Sequence, residues 1–183
     1  MFIDVHELEF HPIDLGGKFE AEAIGLGPEV RQTEPLTASG RAELLEEHHG
    51  IRGGKIQDIR LVGKLSTRVE RYCDRCLEPV QFPVNRSFDL LYRPQGIDAG
   101  QEEQSVTTVE AEIGYYSGDG LLLEDALREQ VLLALPMKTV CREECRGLCP
   151  RCGRNLNLET CSCPASTDTH WGALGELKQK LQR

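Results

Sequence analysis

The spacing of the cysteines constrains this chain more than any other feature. They run as Cys73-x2-Cys76 and then as Cys141-x3-Cys145-x3-Cys149-x2-Cys152-x8-Cys161-x-Cys163. That is eight thiols in 183 residues, six of them within 141–163. A chain of this length can bury a core without covalent staples. The stretch MFIDVHELEF carries Asp4 and Glu7, where an export signal has positive charge and then an apolar run. No segment approaches the ~18 apolar residues that a membrane span needs. The expected setting is therefore cytoplasmic, with no membrane association. Thiols stay reduced there, so closely spaced cysteines read as metal ligands or redox groups before disulfides.

Zinc in a structural site takes four thiolate or imidazole ligands, often supplied as short-spaced pairs. CPRCG, at 149–153, has the form of a zinc knuckle, with Gly153 letting the turn close so that backbone N–H groups point at the sulfurs. CDRC, at 73–76, can present the same geometry at the tip of a hairpin. Eight cysteines divide into two sets of four, which implies one or two structural zinc ions. The preferred division joins Cys149, Cys152, Cys161 and Cys163 through the loop RNLNLETC, and Cys73, Cys76, Cys141 and Cys145 as a second set. The spacing equally allows Cys73 and Cys76 to join Cys149 and Cys152, with the other four as a second site or without metal. A site closed by four cysteines has no open coordination position, so neither division suggests catalysis. Thioredoxin-like chemistry wants its first cysteine at a helix N-terminus in a βαβ unit, and here the pair lies between two strands. No Ser/His/Asp set, Walker-type glycine loop or HExxH occurs. His48 and His49 adjoin Gly50 in an expected loop, and His6, His11 and His170 are scattered; all five read as surface or capping residues. The expectation is no enzyme, no catalytic residue and no small-molecule substrate.

The first half alternates with period 2. Leu36, Ala38, Gly40, Ala42 and Leu44 share one face, as do Ile59, Leu61, Gly63, Leu65, Thr67 and Val69. Val80, Phe82, Val84, Phe88, Leu90 and Tyr92 share a third, broken by Arg86. Such alternation marks half-buried strands. The last two flank 72–79 and form an expected hairpin, with Pro83 suited to an edge strand. PQGIDAGQEEQ, at 94–104, reads as an exposed loop, and Val109, Ala111, Ile113 and Tyr115 as one further strand. From about residue 121, LLLEDALREQVLLALP predicts a helix with Glu124, Asp125, Arg128 and Glu129 on one narrow face and apolar residues around the rest. Pro136 ends it. A Ser/Thr/Asp cluster at 166–169 can cap a terminal helix carrying Trp171, Leu174, Leu177 and Leu181. The expected architecture is α+β: an N-terminal antiparallel β-sheet domain over 1–117, open or curled like a barrel and including the Cys73/Cys76 hairpin. A helical, zinc-knuckle region over 118–183 follows it.

The charge is unevenly spread. The chain carries −9 overall, and 95–130 alone carries −8, with Arg128 as its single base. Over 138–154 the sign reverses to +3 through Lys138, Arg142, Arg146, Arg151 and Arg154. The total speaks against a general coat of nucleic acid, whereas the distribution leaves one basic, cysteine-rich segment beside an acidic one.

The segment LEDALREQVLLALPMKTVCREECRGLCPRCGRNLNLETCSC at 123–163, the expected terminal helix after it and the VERYCDRCLEPV hairpin before it resemble the YceD family of bacterial proteins. The likeness runs from about residue 60 to 183. It implies a cytosolic, non-enzymatic factor in accumulation and maturation of large-subunit (23S) ribosomal RNA, and assigns no catalytic residue. Its implied partners are that RNA or a pre-ribosomal particle. Lys138, Arg142, Arg146, Arg151 and Arg154 are candidate phosphate contacts around the knuckle. The acidic window would repel RNA and confine binding to one face, or dock a basic ribosomal protein. A thiol redox protein or redox-sensing zinc switch, and a zinc-stabilised protein adaptor, are the alternatives.

Overall fold

The computed structural model describes residues 1–21, 23–49, 54–96 and 113–164. These form β1 (Phe2–Asp4), α1 (Val5–Leu8), β2 (Ile13–Asp14), β3 (Gly17–Phe19), β4 (Arg31–His49), β5 (Gly54–Tyr72), β6 (Pro79–Pro94), β7 (Ile113–Tyr116), β8 (Gly120–Leu122) and α2 (Leu123–Ala134). The chain divides into two compact units, Met1–Arg71 with Pro79–Thr139, and Tyr72–Glu78 with Val140–Arg183.

In the first unit the three period-2 segments become β4, β5 and β6, adjacent in a sheet of order β2-β4-β5-β6-β7, with β3 also on β4. β4 and β5 are antiparallel, from Arg31↔Glu70 to His49↔Gly54. The faces fall as the alternation requires: Leu36, Ala38, Ala42, Ile59, Leu61, Leu65, Val69, Val84 and Phe88 are buried in one core with Leu123, Leu127 and Val131 of α2. The register slips on either side of Glu34, next to Pro35, where a residue without an N–H does least harm to the ladder. Arg86, the break in the alternation of β6, donates from Nε to Oε1 of the buried Gln130 on α2 at 2.9 Å. Two further polar residues are buried as a pair. Arg93 of β6 donates from Nη2 to Oδ2 of Asp58 of β5 at 2.8 Å.

The sheet is open rather than barrel-like. Its order is a path whose ends, short β2 and β3 on one side and four-residue β7 on the other, do not pair with each other among the described residues. β7 also runs parallel to β6, along Leu91–Pro94, so the sheet is not purely antiparallel. That contact begins well past Pro83. His48 and His49 continue β4, opposite Lys55 and Gly54, and not a loop. Pairing with β5 extends past the last apolar position, because backbone hydrogen bonds carry a ladder where side-chain pattern has stopped. α2 stops where expected, with Leu135 extended (φ −80°, ψ 143°) before Pro136. α1 is a single turn, capped by Asp4 Oδ1 accepting from His6 N at 2.8 Å, that buries Val5 and Leu8. The rest of the expected loop after 96, the strand positions Val109 and Ala111, and the expected terminal helix with its 166–169 cap lie outside the described residues.

Candidate metal centres

Every cysteine of the chain lies in the second unit, and none is in a disulfide. Tyr72–Glu78 joins β5 to β6 as a knuckle turn. The Leu77 N–H donates to the Cys73 carbonyl at 2.9 Å, and the Cys73 N–H to the Glu78 carbonyl at 2.8 Å. The CPRCGR segment repeats it bond for bond, Gly153 to Cys149 at 2.9 Å and Cys149 to Arg154 at 2.8 Å. Both turns need a left-handed residue after the second cysteine. Gly153 supplies it at φ +71°; in the first knuckle that residue is Leu77, at φ +62°.

The two knuckles organise two tetrads. Cys73, Cys76, Cys141 and Cys145 have their sulfurs within 4.8 Å of one another, and so do Cys149, Cys152, Cys161 and Cys163. These are the sets of the preferred division. In the first, Cys73 Sγ lies 3.9 Å from Cys145 Sγ, and Cys76 Sγ lies 3.6 Å from Cys141 Sγ. Four sulfurs about 2.3 Å from a tetrahedral zinc ion stand about 3.8 Å apart, so the observed separations are those the ion requires. Backbone donors surround the sulfurs, as metal thiolates need. The Cys141 N–H points at Cys73 Sγ at 3.4 Å. One residue that spacing alone did not single out joins them: Asn157 donates from Nδ2 to Cys145 Sγ at 3.3 Å, while its Oδ1 accepts from the Arg146 N–H at 2.8 Å.

The surroundings of the thiols exert the same pressure toward a cation. Burial opposes ionisation of Cys73, but N–H donors from Arg75, Cys76 and Cys141 outweigh it and hold the thiol at about 6. In the second tetrad the N–H groups of Cys152 and Arg151 bring Cys149 to about 6. Cys76 and Cys163 go the other way. A donor from Glu78 favours the Cys76 thiolate, yet burial and the surrounding sulfurs push it up to about 12. The sulfur of Cys152, with burial and Cys149, puts Cys163 at about 12. The thiolates of Cys73 and Cys145 in the first tetrad, and of Cys149 in the second, form readily and make other thiols beside them costly to ionise, a conflict that a divalent cation removes. The residues fit zinc in both places; bound there it would supply charge neutralisation and a four-way cross-link.

The second unit has little else, among the described residues, to hold it. Among the described residues its buried apolar side chains are Cys73, Cys76, Cys145 and Cys149. The five basic candidates are all exposed. Arg142, Arg146, Arg151 and Arg154 are in this unit, whereas Lys138 belongs to the first. Arg154 has Glu159 at 3.8 Å. Arg75, by contrast, is used internally, donating from Nη1 to the carbonyls of Glu143 and Cys145.

The family model "Large ribosomal RNA subunit accumulation protein YceD" matches residues 61–178, a span that contains both tetrads. The chain belongs to the YceD family. An uncharacterized protein of Mycobacterium tuberculosis is 31% identical over 121 residues, covering 66% of this chain and 56% of that protein. A chloroplastic protein of Arabidopsis thaliana, named large ribosomal RNA subunit accumulation protein YCED homolog 1, is 25% identical over 151 residues, 70% of this chain and 47% of its own length. Its namesake in Zea mays is 26% identical over 131 residues, 57% of this chain and 44% of its own. This YceD chain thus spans about half the length of the curated relatives it matches. No solved structure matches it. Among the described residues, no helix is long and apolar enough to cross a membrane.

Proposed function

We propose that this YceD chain is a non-catalytic factor in the accumulation of large-subunit (23S) ribosomal RNA, acting in the cytoplasm by binding that RNA or a pre-ribosomal particle. The observation that carries the proposal is the family match over 61–178, which takes in the whole two-knuckle segment. Two plant relatives bear names that state this role. The physics of the second unit supports it. Two zinc-closed knuckles leave no coordination position for a substrate. They hold Arg142, Arg146, Arg151 and Arg154 on short, cross-linked turns with their side chains in solvent, where guanidinium groups meet phosphates without first ordering a loop.

Co-sedimentation from cell lysate tests the proposal. The protein should travel with large-subunit precursors and be released by RNase. Binding to purified large-subunit RNA should fall steeply with salt, and Arg146→Glu with Arg151→Glu should abolish it. A protein that stays at the top of the gradient in all conditions contradicts the proposal.

A further inference from the structure

Helix α2 carries more apolar surface than its core uses. Leu123, Ala126, Leu127 and Val131 are buried, yet Leu132 and Leu133 remain 41% and 60% exposed. They are not scattered. Phe2 of β1, Tyr115 of β7 and Leu122 of β8 are each about half exposed and line the same groove of about 680 Å³ with them. Five large apolar side chains on one concave surface with a polar rim are the mark of an interaction site.

The rim says what kind of partner fits. Asp125 and Glu129 of α2 line it. Arg128, also on it, is bonded to Asp125 at 2.7 Å. The carboxylates are felt at the floor, where burial, followed by Glu129 and Asp125, pushes the Tyr92 hydroxyl up to about 12. Over Leu123–Ala134 the groove's helix carries Glu124, Asp125 and Glu129 against the single base Arg128, a net charge of −2. RNA phosphates are repelled by such a rim, and a second copy would bring the same acids against it.

We propose that this groove docks a basic amphipathic segment of another protein, its apolar side chains over Leu122, Leu132 and Leu133 and its lysines or arginines against Asp125 and Glu129. The proposal is independent of RNA binding by the arginine-bearing unit. A fluorescent 16-residue peptide with leucines at helical i, i+3, i+7 spacing and lysines between them serves as the probe, with a counterpart bearing glutamates instead. On the full chain the lysine peptide should bind at least about tenfold more tightly than the glutamate peptide. Leu133→Asp, and independently Tyr115→Ser, should weaken it at least about tenfold without changing circular dichroism. Asp125→Lys with Glu129→Lys should erase the preference. Absence of binding, equal binding of both peptides, or binding unaffected by both groove variants overturns the proposal. So does a concentration-dependent dimer that Leu133→Asp abolishes, since the groove would then be a self-interface.

Discussion

Leu77 and Gly153 occupy the same position in two turns with the same hydrogen bonds. A side chain in the left-handed region costs roughly 1–2 kcal/mol because its Cβ crowds the carbonyl, and Leu77 recovers little by burial, being 60% exposed. Leu77→Gly should therefore stabilise the metal-loaded protein by about 1 kcal/mol, and Gly153→Leu should destabilise it by a similar amount; guanidinium unfolding of both variants checks the pair. Nothing in CDRCLE betrays that leucine's conformation, since turn reading looks for glycine or asparagine. Asn157 was equally unreadable, because its role depends on Cys145, 12 positions away, being brought to it. Removing that donor, Asn157→Ala, should weaken metal binding at the first tetrad about 10–100-fold in a chelator competition, with the second tetrad unchanged.

At the scale of elements, sequence pattern reached as far as periodicity did. β4, β5 and β6 have 19, 19 and 16 residues, long enough for alternation to fix both strand and buried face. α1, β1, β2, β3 and β8 have two to four residues each, too short for any period, and their positions are set by what they pair with. The cysteine sets were legible only as two alternatives, because spacing does not say which pairs fold together. Within the long hairpin, Gly40 and Gly63 face each other across β4 and β5. A Cβ on Gly40 would stand 2.2 Å from the Val62 carbonyl oxygen, and one on Gly63 2.8 Å from the Phe88 ring. Backbone cannot yield as a flexible side chain can. Gly40→Val should thus cost about 1–3 kcal/mol in urea unfolding through overpacking of the sheet, and leave metal content unchanged.

The whole molecule combines two ways of being stable. The first unit has an aliphatic core from Ile3 to Val131; the second, among the described residues, has buried cysteines in place of one. Small units without a core depend on metal. Chelation should therefore collapse protection in amide exchange over 72–78 and 140–164 while the amides of β4 and β5 stay protected. Acid should do the same. Cys76 and Cys163, at about 12, still hold protons at neutral pH that the ion must displace. Each ion bound then releases at least one proton, so affinity falls at least about tenfold per pH unit as pH drops toward 6. Below about 6, Cys73 and Cys149 also take up protons, and the fall steepens. Titration of metal release between pH 8 and 5 follows this directly.

Two ions, one per tetrad, would hold the arginine-bearing unit in shape. Native mass spectrometry of protein purified without chelator decides the point. Two zinc ions per chain are expected, with Cys76→Ser and Cys161→Ser each removing one. A chain that carries no metal, or whose tetrads are found as disulfides, rules out metal as what holds the unit.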